Sequence, residues 1–404
     1  MVTEHRWDVP VDHHEPAGPA LSVFAREVVS ANPLAETKPL LVFLQGGPGF
    51  EATRPLGSFG WVERAAQDYR VLLLDQRGTG RSSAIDAESV VRLRGAQAQA
   101  SYLRNFRADS IVRDCEFIRT ALGVERWSVL GQSFGGFCLL HYLCAFPGSL
   151  REGFFTGGVP PIGRPVDDVY RSTFKRIQER NDAFYERYPG DLDAVREIVQ
   201  TLGSSSVHLP SGDQLNVLRY QTLGNVLGMS TGAEELHYLI ERKLDFVALR
   251  GIENAQRWDT NPLYHVLHES CYADGQRTQW SAQRVRSEFP QFDDPDHPYF
   301  TGEHVFAWQL HDWQRLQPFA EVAELLADEP WPKLYDAARL AVNTVPCAAA
   351  VFPEDPYVEY HYTKETAETM SALQLWVSDA HDHDALRVDG VTVLNQLFDL
   401  VAAD

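Results

Sequence analysis

Five cysteines among 404 residues, Cys115, Cys138, Cys144, Cys271 and Cys347, are an odd number with no C-x-x-C pair. That excludes a disulfide framework and points to buried thiols in a reducing compartment. Cations are scarce as well: 36 Lys and Arg against 56 Asp and Glu leave a net charge of −20. A surface so acidic repels nucleic acid and anionic membrane, so neither is expected as a partner, whereas a cationic ligand is compatible. No stretch approaches the roughly 18 apolar residues of a membrane span. The opening MVTEHRWDVPVDHHE has neither the basic start nor the apolar core of a secretory leader, so the expected location is cytoplasmic. His13 and His14 have no acid or cysteine at ligand spacing and no Cys/His cluster exists elsewhere, so no metal is implied. The loop QGGPG lacks the lysine and Ser/Thr that follow in a phosphate loop, and no cofactor is implied. Internal repeats and low-complexity tracts are absent too, and nothing bears on oligomeric state.

What is present, 44% hydrophobic and 23% charged residues, describes a globular chain large enough for one big domain with an insertion. LLVFLQGGPG and YRVLLLDQRGTGRSS each place a buried-type strand before a glycine-rich loop. FRADSIVRDCEFIRTALGV then carries apolar residues at helical spacing, and WSVLG is the next strand. Strands alternating with helices imply an α/β fold: a mostly parallel sheet covered on both faces, with sites at the carboxyl ends of strands. Asp75 and Arg77, at the end of one such strand, are expected to brace neighbouring loops through buried charge-assisted bonds. Residues 160–335 lack strand–glycine-loop units and read as a largely helical cap, SSVHLPSGDQLNVLRYQTLGNVL and AEELHYLIERKLDFVAL included. The strand-like runs return in VPCAAAVFPEDPYVEY and LQLWVSDAHDHDALRVDG. Residues 1–159 and 336–404 are therefore expected to form one domain.

One stretch of that domain carries a chemical signal. WSVLGQSFGGFCLLHYL sets Ser133 between Gly131 and Gly135, where a short apolar run becomes a long one. A G-x-S-x-G elbow turns the backbone sharply enough to hold a hydroxyl clear of it, as a nucleophile requires. Chance supplies about 0.1 such matches in a chain of this length, and this one has two. The second, around Ser230, follows no β-type run. It leads instead into a helix on which Thr231 and Glu234 read as a capping box, so Ser230 is not expected to be a nucleophile. A serine nucleophile needs a base, and the base an acid, in the chain order Ser, acid, His. CAAAVF ends at Glu354 and Asp355, with Asp355 favoured, and LQLWV is followed by His381 and His383, between which spacing does not choose. The oxyanion donors of such a site are the amide after the nucleophile, Phe134, and one from QGGPG, where Gly47 has no side chain in the way.

LVFLQGGPG, VLLLDQRGTGRSS, GQSFGG and HDALRVDG together resemble the proline iminopeptidase (prolyl aminopeptidase) family of α/β-hydrolases, and HESCYADG, FTGEHVFAW and PCAAAVFPEDPYVEY extend the likeness over nearly the whole chain. The resemblance implies an α/β-hydrolase fold with an inserted cap, Ser133, Asp355 and His383 as triad, and Gly47 with Phe134 as oxyanion donors. It also implies carboxylates holding a substrate ammonium, for which Glu269 and Glu303 are the matches, with Tyr272, Phe300, Phe306 and Trp308 as candidate walls for a pyrrolidine ring. The activity expected is that of a serine exopeptidase releasing an N-terminal residue, preferably proline, from small peptides with a free N-terminus through an acyl-enzyme. The alternatives are an esterase or amidase on small acyl substrates and a non-catalytic α/β-hydrolase serving as ligand receptor. Gln45 stands where many members carry histidine, and the cap is larger than in the shorter members.

Overall fold

A computed structural model describes residues 1–32, 37–57 and 60–402. Short apolar runs form its sheet, which in chain order comprises β1 (Val2–Pro10), β2 (Ala20–Val28), β3 (Leu40–Leu44), β4 (Arg70–Asp75), β5 (Trp127–Gln132) and β6 (Leu150–Thr156). Two further short strands, β7 (Val207–His208) and β8 (Gln214–Leu215), pair only with each other. The large sheet is completed by β9 (Cys347–Val351) and β10 (Leu373–Val377). Its strand order is β1-β2-β4-β3-β5-β6-β9-β10. In the large sheet β1 and β2 pair antiparallel, as do β2 and β4, and its other pairings are parallel.

The central strands are uninterrupted apolar runs because both faces of the sheet are covered. In β3 the side chains alternate between two cores: Leu41 and Phe43 face Trp61 and Leu394, while Val42 and Leu44 join Ile111 and Leu139 on the opposite face. The helix Phe134–Ala145 that follows β5 is apolar nearly all round and correspondingly buried nearly all round.

Charged groups brace the carboxyl end of β4. Arg77 is buried against Asp114 of the helix Ala108–Ala121, with Nε 2.7 Å from Oδ2, and it also donates to the carbonyls of Val11 and Asn105 at 2.8 and 2.6 Å. Asp75 takes both terminal nitrogens of Arg54, at 2.6 and 2.9 Å, and the amides of Ala52 and Arg81.

Among the described residues, 160–335 contribute no strand to the large sheet, which resumes at β9; the last two positions, 403–404, lie outside the described residues. Two readings of this segment need correction. SSVHLPSGDQLN is not helical: Pro210 and Gly212 interrupt the period, Gly212 adopts φ +98°, and its amide donates to Leu209 O at 2.9 Å to close the β7–β8 hairpin. The helix starts only at Val217, where the Asn216 side chain accepts the Arg219 amide. Thr231 likewise makes no capping box with Glu234. Its hydroxyl donates to Glu235 at 2.7 Å, and Glu234 pairs with Arg187 across the cap. This segment is tied down by Arg107, whose guanidinium donates to Ala273 O and Pro332 O at 3.0 and 2.8 Å and lies over the Trp331 ring.

Candidate active site

The turn after β5 puts Ser133 at φ 53°, ψ −121°, a left-handed conformation that side chains rarely adopt. Its amide is held by Thr156 O of the neighbouring β6 at 2.8 Å, and its carbonyl accepts Gly136 N–H at 2.7 Å. The flanking glycines are dictated by contact. A Cβ on Gly131 would stand 2.4 Å from Gly135 O, and one on Gly135 would stand 1.9 Å from Leu44 O. Only hydrogen fits at either place.

Asp355 follows β9 on the tight turn that includes Glu354. Its Oδ1 accepts the amides of Tyr357 and Val358 at 2.8 and 3.1 Å, leaving Oδ2 for His383 Nδ1 at 2.6 Å. Both groups are nearly inaccessible, at 2% and 5% exposure. Burial pulls the His383 imidazole down, but the Asp355 charge and hydrogen bond, with help from Glu303, outweigh it and raise the ring above its ordinary value. Gly157 makes room for the ring, since a Cβ there would lie 2.9 Å from His383 Cε1. The competing pair goes elsewhere. Glu354 is exposed and pairs with Arg180, and His381 sits between Ser378 and Asp389 at 2.8 and 3.2 Å.

Ser133 and His383 open into one cavity of about 540 Å³, and Gln45, Gly47 and Glu303 line it with them. Phe134 begins a helix, so its amide has no acceptor within that helix, and Gly47 lies on the facing loop at φ +130°. Glu303 accepts the Tyr264 hydroxyl at 3.0 Å, and burial raises its carboxyl to about 7. The cavity can therefore offer the Ser133 hydroxyl, the His383 imidazole, the Gly47 loop and the carboxylates of Glu303 and Asp384 to a single ligand. Among the described residues no group of three or more His, Cys, Asp or Glu could hold a metal ion.

Residues 39–236 match the α/β-hydrolase fold family. A proline iminopeptidase of Aeromonas sobria is 44% identical over 98% of this chain and 95% of its own length. A second, from Aspergillus aculeatus, is 35% identical over 98% of this chain and 93% of its own. The chain belongs to the proline iminopeptidase family of α/β-hydrolases. Among solved structures, the proline iminopeptidase of Mycobacterium smegmatis aligns over 99% of this chain and all of its own, at 16% identity and TM-score 0.47.

Two expectations for the substrate side of a proline iminopeptidase come apart in this fold. Glu269 is buried where Glu303 is half-buried, and desolvation raises it too to about 7, but it lies outside the cavity and its Oε1 instead accepts the amide of Ala282 at 2.8 Å. The four aromatic residues expected as walls are not among those lining the cavity. Tyr272 packs on Phe137 and Tyr170, Phe300 on Tyr220, and Phe306 stacks on Trp308. Aromatics at helical spacing in a cap serve its own core unless the backbone turns them outward. The rings that do line the cavity include Phe50, Trp258, Tyr264 and Tyr357, with Trp258 stacked on Tyr264 at 4.4 Å. Tyr357 was legible in principle, two residues after Asp355 on the same turn. Trp258 had no local signal.

Proposed function

We propose that this member of the proline iminopeptidase family is a serine exopeptidase releasing an N-terminal residue, preferably proline, from small peptides with a free N-terminus. Ser133 Oγ attacks the first peptide carbonyl and its proton passes to His383 Nε2, while the new oxyanion takes hydrogen bonds from the amides of Gly47 and Phe134. Asp355 holds Nδ1–H and stabilises the imidazolium. The proton then goes to the leaving nitrogen, the C–N bond breaks, and water activated by the same histidine releases the acyl group. Glu303 holds the substrate ammonium, so that only the first bond reaches Ser133. The observation that carries this reading is the convergence of Ser133, the His383–Asp355 pair and the Glu303 carboxylate on one cavity. Its volume leaves space beyond a pyrrolidine ring for the following residue.

Residues 160–335 are assigned as the cap and 1–159 with 336–404 as the hydrolase domain, supported by the resumption of the sheet at β9. A cytoplasmic location is supported by five buried free thiols; no described helix is long and apolar enough to cross a membrane. The deciding experiment compares kcat/KM for a prolyl amide, its N-acetyl counterpart and a small neutral ester. Rapid cleavage of the free amine with near-absence of cleavage of the acetylated one is expected. Equal rates on the two amides would favour an esterase or amidase, and no turnover of any substrate would favour a ligand receptor.

A further inference from the structure

Ser230, the serine of the second G-x-S-x-G match, is left without a role by this reaction, yet it sits against the loop that carries His383. Its hydroxyl and its amide both donate to Asp384 Oδ1, at 2.6 and 3.0 Å. Asp384 is buried, is the next residue after His383, and lines the cavity with it. Two residues before Ser230, Gly228 O accepts the His383 backbone amide at 3.2 Å, and Gly228 N–H donates to the hydroxyl of Tyr357 at 3.2 Å. The Tyr357 ring in turn stands edge-on to the His383 imidazole, 4.7 Å between centroids and 72° between planes. The glycines of the second match have steric reasons unrelated to a nucleophile. A Cβ on Gly228 would meet the Tyr357 ring at 2.4 Å, and one on Gly232 would meet Val226 O at 1.7 Å. Residues 225–232 thus form a close-packed cap turn whose inner edge grips the histidine loop.

We propose that Ser230 is a positioning residue: through Asp384 it holds the His383 loop against the cap, so that the general base is fixed from two directions, by Asp355 on its ring and by the cap turn on its backbone. The proposal rests on His383 being the base. Without the Ser230 hydroxyl, Asp384 keeps only the Ser230 amide and Arg387, which lies at 2.8 Å and is itself largely exposed. The loop then gains freedom that the ring alone must resist. Binding of a first residue between cap and hydrolase surfaces would act on the same turn, because Asn225 and Met229 line the cavity.

The test uses the full chain with Ser230→Ala, Ser230→Thr, Asp384→Ala and the Ser230→Ala/Asp384→Ala double variant, read by kcat and KM on a prolyl arylamide and by the rate at which a fluorophosphonate labels Ser133. Ser230→Ala is expected to lower kcat about tenfold with KM within about twofold, and to slow labelling in step. Ser230→Thr, which keeps the hydroxyl, should recover most of the loss. Asp384→Ala should lower kcat similarly, and the double variant should be no worse than Asp384→Ala alone. Unchanged kcat and labelling in Ser230→Ala, a threonine no better than alanine, losses that multiply in the double variant, or label found on Ser230 would each overturn the proposal. If Ser230→Ala does not fold, Asp384→Ala decides by itself, since it removes the acceptor that Ser230 uses: a lowered kcat supports the clamp and an unchanged one sinks it. His383→Ala separates the two levels. Full activity in that variant would remove the base assignment altogether, whereas an inactive His383→Ala beside a fully active Ser230→Ala would remove only the clamp.

Discussion

Ser133 holds a backbone conformation that costs on the order of 1–3 kcal/mol, and the glycines around it are what let neighbouring strands and helix enforce it. Ser133→Ala should therefore leave folding intact while turnover of a prolyl arylamide falls to background. Gly135→Ala should cost about 1–3 kcal/mol or prevent soluble expression, because its Cβ would fall inside the Leu44 carbonyl. Thermal melts of the two variants check both statements, and a normally stable Gly135→Ala would contradict the contact. A second residue-scale prediction concerns pH. Burial keeps Glu303 protonated up to about 7, and an ammonium needs it ionised; His383 must be neutral to act, and Asp355 holds its titration above the ordinary value despite burial. For a free prolyl amide two groups must lose protons as pH rises, and for a neutral ester only His383. The acid limb of log kcat/KM should accordingly be steeper for the amide, and Glu303→Gln should bring its slope down to that of the ester. Identical slopes in the unmodified enzyme would remove Glu303 from ammonium binding.

At the scale of elements, the carboxyl ends of β3, β5, β9 and β10 deliver the cavity loops, and buried charge keeps the neighbouring end of β4 in place. Asp114 neutralises Arg77, which is otherwise wholly enclosed. Asp114→Ala would leave an unpaired cation in the core and is expected to lower stability by about 3–5 kcal/mol, read as a fall in the urea midpoint. A midpoint within error of the parent would mean that the pair contributes little. The same elements show which local signals could be trusted. The strands before QGGPG, DQRGTGRSS and GQSFGG were plain because a strand buried on both faces must be apolar throughout. The β7–β8 hairpin was not, because two-residue strands carry almost no period and its neighbours obey the helical one.

For the whole molecule, the cap matters through what it buries. Glu269 and Glu303 share an environment that raises both to about 7, yet only Glu303 faces the cavity. Glu303→Gln should cost roughly tenfold to a hundredfold in kcat/KM on a free-amine substrate and little on a neutral ester, whereas Glu269→Gln should affect both substrates alike and slightly. The signature of Glu269 should be stability. Its folded carboxyl titrates at about 7 against an ordinary 4.5, so its contribution is complete below about 4.5 and lost as pH rises through 7. Glutamine is neutral throughout. The urea midpoint of Glu269→Gln should therefore gain on that of the parent between pH 5 and pH 8, and a constant difference would show that Glu269 does not titrate in that window.

The sequence by itself determined the elbow, the order of the strands that carry the loops, and the candidates for acid and base, because each depends on a few adjacent residues: glycine where contacts leave no room for Cβ, apolar runs where two layers cover a strand. Between Asp355 and Glu354, or His383 and His381, local spacing carried little information, since one or two positions along a loop reverse a side chain. Which pair meets was decided by the backbone amides that turn Asp355 inward and by the Ser378 and Asp389 contacts that hold His381 away. The same holds for Glu269 and Glu303, which are 34 residues apart in the chain and of which the sequence favours Glu269. Tertiary packing gave one an amide to accept and the other an open cavity, because burial and direction are properties of everything folded around a residue.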